Sequence, residues 1–105
     1  MENLVIVRGG GDIATGTIYK LYQCGFRVLV LETENPSAIR RNVAFSEAVY
    51  NGTQTVENLT CHLAKTVDEA VFMLEEGKLV MLIDPKGESI DRLNPMAVVD
   101  GILAK

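Results

Sequence analysis

The sequence predicts an α/β fold built on a mostly parallel sheet, and three observations predict it. Residues 4–7 (LVIV), 27–31 (RVLVL) and 79–83 (LVMLI) are short apolar runs without polar alternation, as interior strands covered on both faces should be. Apolar residues at helical spacing separate these runs, and alternating strands and helices imply right-handed crossovers in a parallel sheet. The first two runs are joined by a glycine-rich turn, VRGGGDIATG, that opens a helix.

The first strand is expected over 4–8. A helix follows over 12–24, with Ala14, Ile18 and Leu21 as its buried stripe and Gly25 as its terminator. Cys24, near that helix end, reads as a buried small apolar residue. The second strand covers 27–32. Asn35-Pro36 then signals a helix start, capped by Asn35 or Ser37. Over 38–50 Ile39, Val43 and Tyr50 share one helical face, with Phe45 and Val49 off it. Residues 53–63 (TQTVENLTCHL) read as two short strands around Glu57-Asn58, the second near 59–63.

Thr66-Val67-Asp68-Glu69 is a capping box, with Thr66 at the N-cap and Glu69 three residues on. Val67, Ala70, Val71 and Leu74 follow on one face, and Gly77 ends that helix. After the strand at 79–83 come a turn at Asp84-Pro85-Lys86-Gly87, a short helix over 89–93 and a last strand near 96–99. With 4–8, 27–32, 59–63, 79–83 and 96–99 as strands 1 to 5, the expected fold is Rossmann-like and doubly wound, in the order 3-2-1-4-5.

The 105 residues suit one domain, 48% apolar and 23% charged, an ordinary balance for a globular chain. The net charge of −4 and the lack of a basic tract argue against general nucleic-acid binding through phosphates. No apolar run approaches the roughly 18 residues of a membrane span, and Met1-Glu2-Asn3 is not the start of a signal peptide. A cytoplasmic location is therefore expected. Cys24 and Cys61 lack CxxC spacing, so neither a disulfide framework nor a zinc site is expected. A six-stranded dinucleotide fold needs more chain than this, so residues 1–105 read as the N-terminal part of a longer protein. An exposed last strand gives a route to a homodimer.

The candidate ligand site is the turn itself. Gly9, Gly11 and Ala14 fill the small-residue slots of a G-x-G-x-x-G/A turn, and Glu32 lies about 20 residues on. Gly9 permits a tight turn, Gly11 keeps a Cβ away from a diphosphate, and Ala14 lets the helix lie close to the sheet. Gly10 completes the cradle. Unpaired N–H groups at the helix start favour an anion. Asp12 complicates this, since its carboxylate can occupy the anion site or repel a diphosphate. Thr15 or Thr17 offers a hydroxyl, and Glu32 would accept from a ribose 2′-OH. Arg40 and Arg41 follow the second strand, on the side where ligands collect, and read either as a grip on a phosphate or carboxylate or as a solvated helix face. Asp84 and Asp100 end strands at the same edge. His62 beside Cys61, with no third partner, reads as packing. No catalytic triad and no metal-ligand spacing is present, so the catalytic residues stay unassigned.

The phrases VRGGGDIATG, GFRVLVLE, NPSAIRRNVAFSEAVYNG and VVDGILAK together resemble the selenium-dependent molybdenum hydroxylase system proteins, the YqeB family. The resemblance covers nearly the whole chain, and AIRRNVAFSEAVY is its most specific part. Members of that family are considerably longer and are similar to the Rossmann-containing accessory proteins of xanthine dehydrogenase. The resemblance implies an accessory or maturation factor whose partner is a molybdenum hydroxylase. Molybdenum, selenium and the molybdenum cofactor enter through it alone.

Three functions follow as expectations. The first is such an accessory factor, with a Rossmann-like domain that binds a nucleotide-containing ligand: NAD or another adenine or cytosine nucleotide. The second is an NAD(P)-dependent oxidoreductase with its nicotinamide directed toward Asp84. The third is a ligand-free interaction module in which Asp12 fills its own anion site.

Overall fold

Apolar runs, glycine stops and side-chain caps set the element boundaries in the computed structural model, which describes residues 2–9, 12–33 and 45–100, with the side chains of Asp12, Ile13 and Ser46 left outside the description. The strands are β1 (Leu4–Arg8), β2 (Arg27–Glu32), β3 (Thr53–Val56), β4 (Leu59–Ala64), β5 (Leu79–Ile83) and β6 (Ala97–Asp100). The helices are α1 (Asp12–Gln23), α2 (Ala48–Asn51), α3 (Val67–Glu75) and α4 (Glu88–Leu93), with a 3₁₀ turn at Phe45–Glu47 leading into α2.

Glycines stop α1 and α3 in the same way. Gly25 and Gly77 adopt φ of 95° and 85°, values a Cβ disfavours. Around each, two N–H groups turn back to the carbonyls of the last turn: Gly25 to Tyr22 and Phe26 to Leu21, Gly77 to Leu74 and Lys78 to Met73. At the other end of α3 the Thr66 hydroxyl accepts from the Glu69 N–H at 3.1 Å, as the capping box predicts. The Glu69 carboxylate reaches the Lys65 N–H at 3.3 Å rather than that of Thr66. The Glu57-Asn58 turn closes a β3–β4 hairpin, with Glu57 at φ 57°.

Strand alternation divides the core between the two sheet faces. Val5, Val7, Val28, Val30 and Met81 pack under Ala14 and Ile18 of α1 and under Phe45 and Ala48. Leu4, Ile6, Leu29, Leu31, Val80 and Leu82 pack under Ala70 and Leu74 of α3, with Ile90 and Leu93 of α4 beside them. Burying one such side chain is worth about 1.5–3 kcal/mol, so both helical layers are needed. The result is a mixed α/β fold with a six-stranded sheet, parallel except for the β3–β4 hairpin.

The strand order departs from the expected 3-2-1-4-5. The sheet runs β3-β4-β5-β2-β1-β6, so β1 lies between β2 and β6 while β5 pairs with β2. In the numbering of the five expected strands this is 3-4-2-1-5. LVIV, VLVL and LVML are equally apolar, so nothing in their chemistry ranks them for the centre. The chain after β2 is long enough to pass the width later taken by β5 and begin the hairpin at one edge. The chain carrying α4 likewise passes over β2 and β1, so that β6 closes the other edge. That edge is thinly covered, with Met96 62% and Val98 44% exposed.

Two smaller expectations also change. Phe45 is fully buried and Tyr50 is 47% exposed, the reverse of the face assigned to 38–50. Residues 45–51 form a 3₁₀ turn followed by a short helix, so one continuous helical period does not apply; 38–44 lie outside the described residues. Cys24 is exposed, because it follows α1 in the tight turn at Gly25, beyond the stripe of Ala14 and Ile18.

Candidate ligand-binding site

The strand order decides where ligand-binding loops converge. α1 after β1 and the 45–51 segment after β2 lie on one face, while α3 after β4 and α4 after β5 lie on the other. The described segments next after the neighbouring strands β2 and β5 therefore lie on opposite faces. In an open α/β sheet the crevice forms at such a switch point, outside the carboxyl ends of the strands.

A cleft of about 20 Å³ lies there, lined by Arg8, Leu31, Glu32, Thr33, Asp84 and Pro85. That is room for about one water. Residues 10–11 and 34–44, which follow β1 and β2 in the chain, lie outside the described residues. Three ionisable residues line it: Arg8 from β1, Glu32 from β2 and Asp84 just after β5.

Glu32 is 8% exposed, and its Oε1 accepts the Thr33 N–H at 3.0 Å. The β2 and β5 ends are tied together by the Asp84 N–H donating to the Glu32 carbonyl at 2.9 Å. The Asp84 carboxylate turns away into α4. Oδ1 accepts the Glu88 N–H at 3.1 Å, and Oδ2 accepts the Ser89 N–H and hydroxyl at 2.8 and 2.6 Å. Burial pushes the Asp84 carboxyl up, but hydrogen bonds from the Ser89 hydroxyl and from the Ser89, Glu88 and Gly87 backbone outweigh it and hold the carboxyl below its ordinary value.

Gly9 behaves as the motif requires. Its φ is 95°, and its N–H extends the β1–β2 ladder by donating to the Leu31 carbonyl at 2.7 Å. Ala14 of α1 is buried against the sheet, as close helix–sheet packing needs. Thr15 is also buried, and its hydroxyl oxygen accepts the Phe45 N–H at 3.0 Å, which ties α1 to the segment leading into α2. Asp12 begins α1. Gly10, Gly11, Arg40 and Arg41 lie outside the described residues.

Arg8 was not singled out in the sequence. It sits half-buried at the end of β1 and makes no hydrogen bond or ion pair among the described residues. The signal was the residue type itself: a guanidinium immediately before a phosphate-type glycine turn.

A larger cavity, of about 480 Å³, lies at the opposite edge between Asn3, Tyr22, Phe26, Arg27 and Lys78. Its size suits a small molecule better. Yet the α1 and α3 C-termini converge there, presenting carbonyl ends that repel anions, and the Tyr22 hydroxyl is spent on the Gly77 carbonyl. The carboxyl edge, where the glycine turn and Glu32 lie, is the candidate site.

Neither cysteine belongs to it. Cys61 is buried in the core, where burial pushes its thiol up, and His62 pairs in mid-sheet with Thr53 and Val80. Among the described residues, no three or more His, Cys, Asp or Glu side chains are grouped to hold a metal ion. No helix among them is long and apolar enough to cross a membrane.

No family model and no solved structure matches the chain. Over 104 residues, 99% of its length, it is 47% identical to "Uncharacterized protein YqeB" of Escherichia coli (strain K12). The chain spans about one fifth (19%) of the length of that relative. The likeness thus extends over nearly the whole chain but over only part of the relative.

Proposed function

We propose that this chain is a Rossmann-like, nucleotide-binding module of an accessory factor for selenium-dependent molybdenum hydroxylases. One observation supports the nucleotide most directly. Gly9 turns out of β1 in a left-handed conformation and bonds to Leu31, which shares a cleft at the β2–β5 switch point with the buried carboxylate of Glu32. A carboxylate at the end of the second strand is suited to a ribose diol. The diphosphate then belongs beside the glycine turn, with Gly10, Gly11 and the start of α1 as its cradle and Arg40 and Arg41 as further candidate contacts.

The accessory role rests on the family resemblance. In this reading the molybdenum centre belongs to the partner enzyme. The oxidoreductase alternative is weaker. It needs a proton-transfer group near the nicotinamide, and the Asp84 carboxyl is held ionised as a helix cap while His62 lies in mid-sheet.

Thermal-shift and calorimetric titrations with NAD, NADP, ADP, CDP and S-adenosylmethionine test the binding function. The expected result is stabilisation by an adenine or cytosine nucleotide without hydride turnover. No shift with any of them refutes nucleotide binding and favours the ligand-free module. For a dinucleotide, Glu32 should favour NAD over NADP at least about tenfold, and Glu32→Ala should weaken NAD and narrow that gap. Tighter NADP binding by the wild type, or no response to Glu32→Ala, removes Glu32 from the site. For the accessory role, cells lacking the full-length family member should accumulate molybdenum hydroxylase protein of reduced activity.

A further inference from the structure

We infer that Arg8 is the anion-binding residue of the switch-point cleft, taking a phosphoryl group of the ligand through its guanidinium. The carboxylates beside it are committed elsewhere. Both Asp84 oxygens receive donors from α4, and Glu32 Oε1 receives the Thr33 N–H. Arg8 itself makes no hydrogen bond or ion pair among the described residues although it is half-buried. A guanidinium in that position has lost part of its hydration without gaining an acceptor among the described residues, and an oxyanion at the cleft mouth restores what was lost. Its planar fork of donors matches two oxygens of a phosphoryl group.

Position narrows the choice of anion. Arg8 directly precedes the left-handed Gly9 and pairs in register with Leu31 on one side and Asp100 on the other. It therefore lies directly before the turn out of β1 and lines the same cleft as Glu32, where a ribose belongs. The charge also answers a difficulty in the motif. Glu32 places an acidic group beside a site meant for a polyanion, and Arg8 supplies the compensating positive charge. The inference rests on the nucleotide reading for the identity of the ligand, and on Arg8 itself for the anion.

Isothermal titration of the wild type, Arg8→Gln and Arg8→Lys with inorganic pyrophosphate, NAD and adenosine tests it. Losing charge-assisted hydrogen bonds should weaken pyrophosphate and NAD about 10- to 100-fold in Arg8→Gln, with adenosine unchanged. Arg8→Lys keeps the charge without the fork and should fall between. Equal NAD and pyrophosphate affinity in the wild type and Arg8→Gln overturns the role of Arg8 and leaves the nucleotide reading intact. Arg8-dependent pyrophosphate binding without binding of NAD or adenosine does the opposite. A wild type that binds none of the three overturns both. Melting curves check folding, and if Arg8→Gln does not fold, Arg8→Lys carries the comparison.

Discussion

Asp84→Ala should destabilise the protein by about 1–2 kcal/mol near neutral pH, the cost of deleting a helix cap. Three donors at the start of α4 lose their acceptor: the Glu88 N–H at 3.1 Å, and the Ser89 N–H and hydroxyl at 2.8 and 2.6 Å. Water can replace the carboxylate at exposed Glu88. Ser89 is 3% exposed, so its two donors carry most of the cost. In a domain of this size each kcal/mol moves Tm by about 4–8 °C, so the variant should melt roughly 4–16 °C lower. The pH dependence has a definite sign. The folded-state carboxyl lies below its ordinary 3.8, so its contribution is complete above the unfolded value of about 3.9 and fades as pH falls through the folded one. The gap between wild type and variant should hold from about pH 7 to pH 5 and narrow below about pH 4. Circular-dichroism melts across that range read it directly. An unchanged Tm at neutral pH, or a gap that widens on acidification, would refute the capping role.

The Thr15–Phe45 contact and the two cysteines give further tests. Thr15→Val keeps the side-chain shape but removes the acceptor of the buried Phe45 N–H, so urea unfolding should show a loss of about 1–3 kcal/mol. Phe45→Ala should cost more, about 3–5 kcal/mol, because Phe45 is fully buried. Equal wild-type stability in both variants would remove the 45–47 segment from the core. With a thiol reagent, exposed Cys24 should react in the native protein while Cys61, its thiol pushed up by burial, reacts only on unfolding. Equal native rates would contradict this arrangement.

The element boundaries were legible because local chemistry fixes them. Gly25 and Gly77 end helices through φ values that favour glycine, Thr66 and Glu69 cap α3, and the unbroken apolar runs can only be buried strands. Strand order was not legible, since β1, β2 and β5 offer nearly identical apolar surfaces and the choice lies in how far each crossover carries the chain. That error moved the switch point. The order 3-2-1-4-5 sets it beside strand 1, whereas β5 beside β2 brings Asp84 next to Glu32. The 38–50 face was misjudged because the 3₁₀ turn at Phe45–Glu47 breaks the helical period. Gly9, Ala14 and Glu32 fit a motif built on small residues and one acid, a pattern that is silent about Arg8. Its role emerges from the partners its neighbours already have.

Amide chemical-shift mapping during an NAD titration tests the placement of the site most directly. Binding at the switch point should move Leu31, Glu32, Thr33 and Asp84, the residues at the carboxyl ends of β2 and β5. Tyr22, Gly25, Gly77 and Lys78, at the opposite edge of the sheet, should stay fixed. Shifts concentrated on that second group would put the ligand in the amino-edge cavity and contradict the carboxyl-edge site, and a spectrum unmoved at saturating NAD would contradict dinucleotide binding altogether.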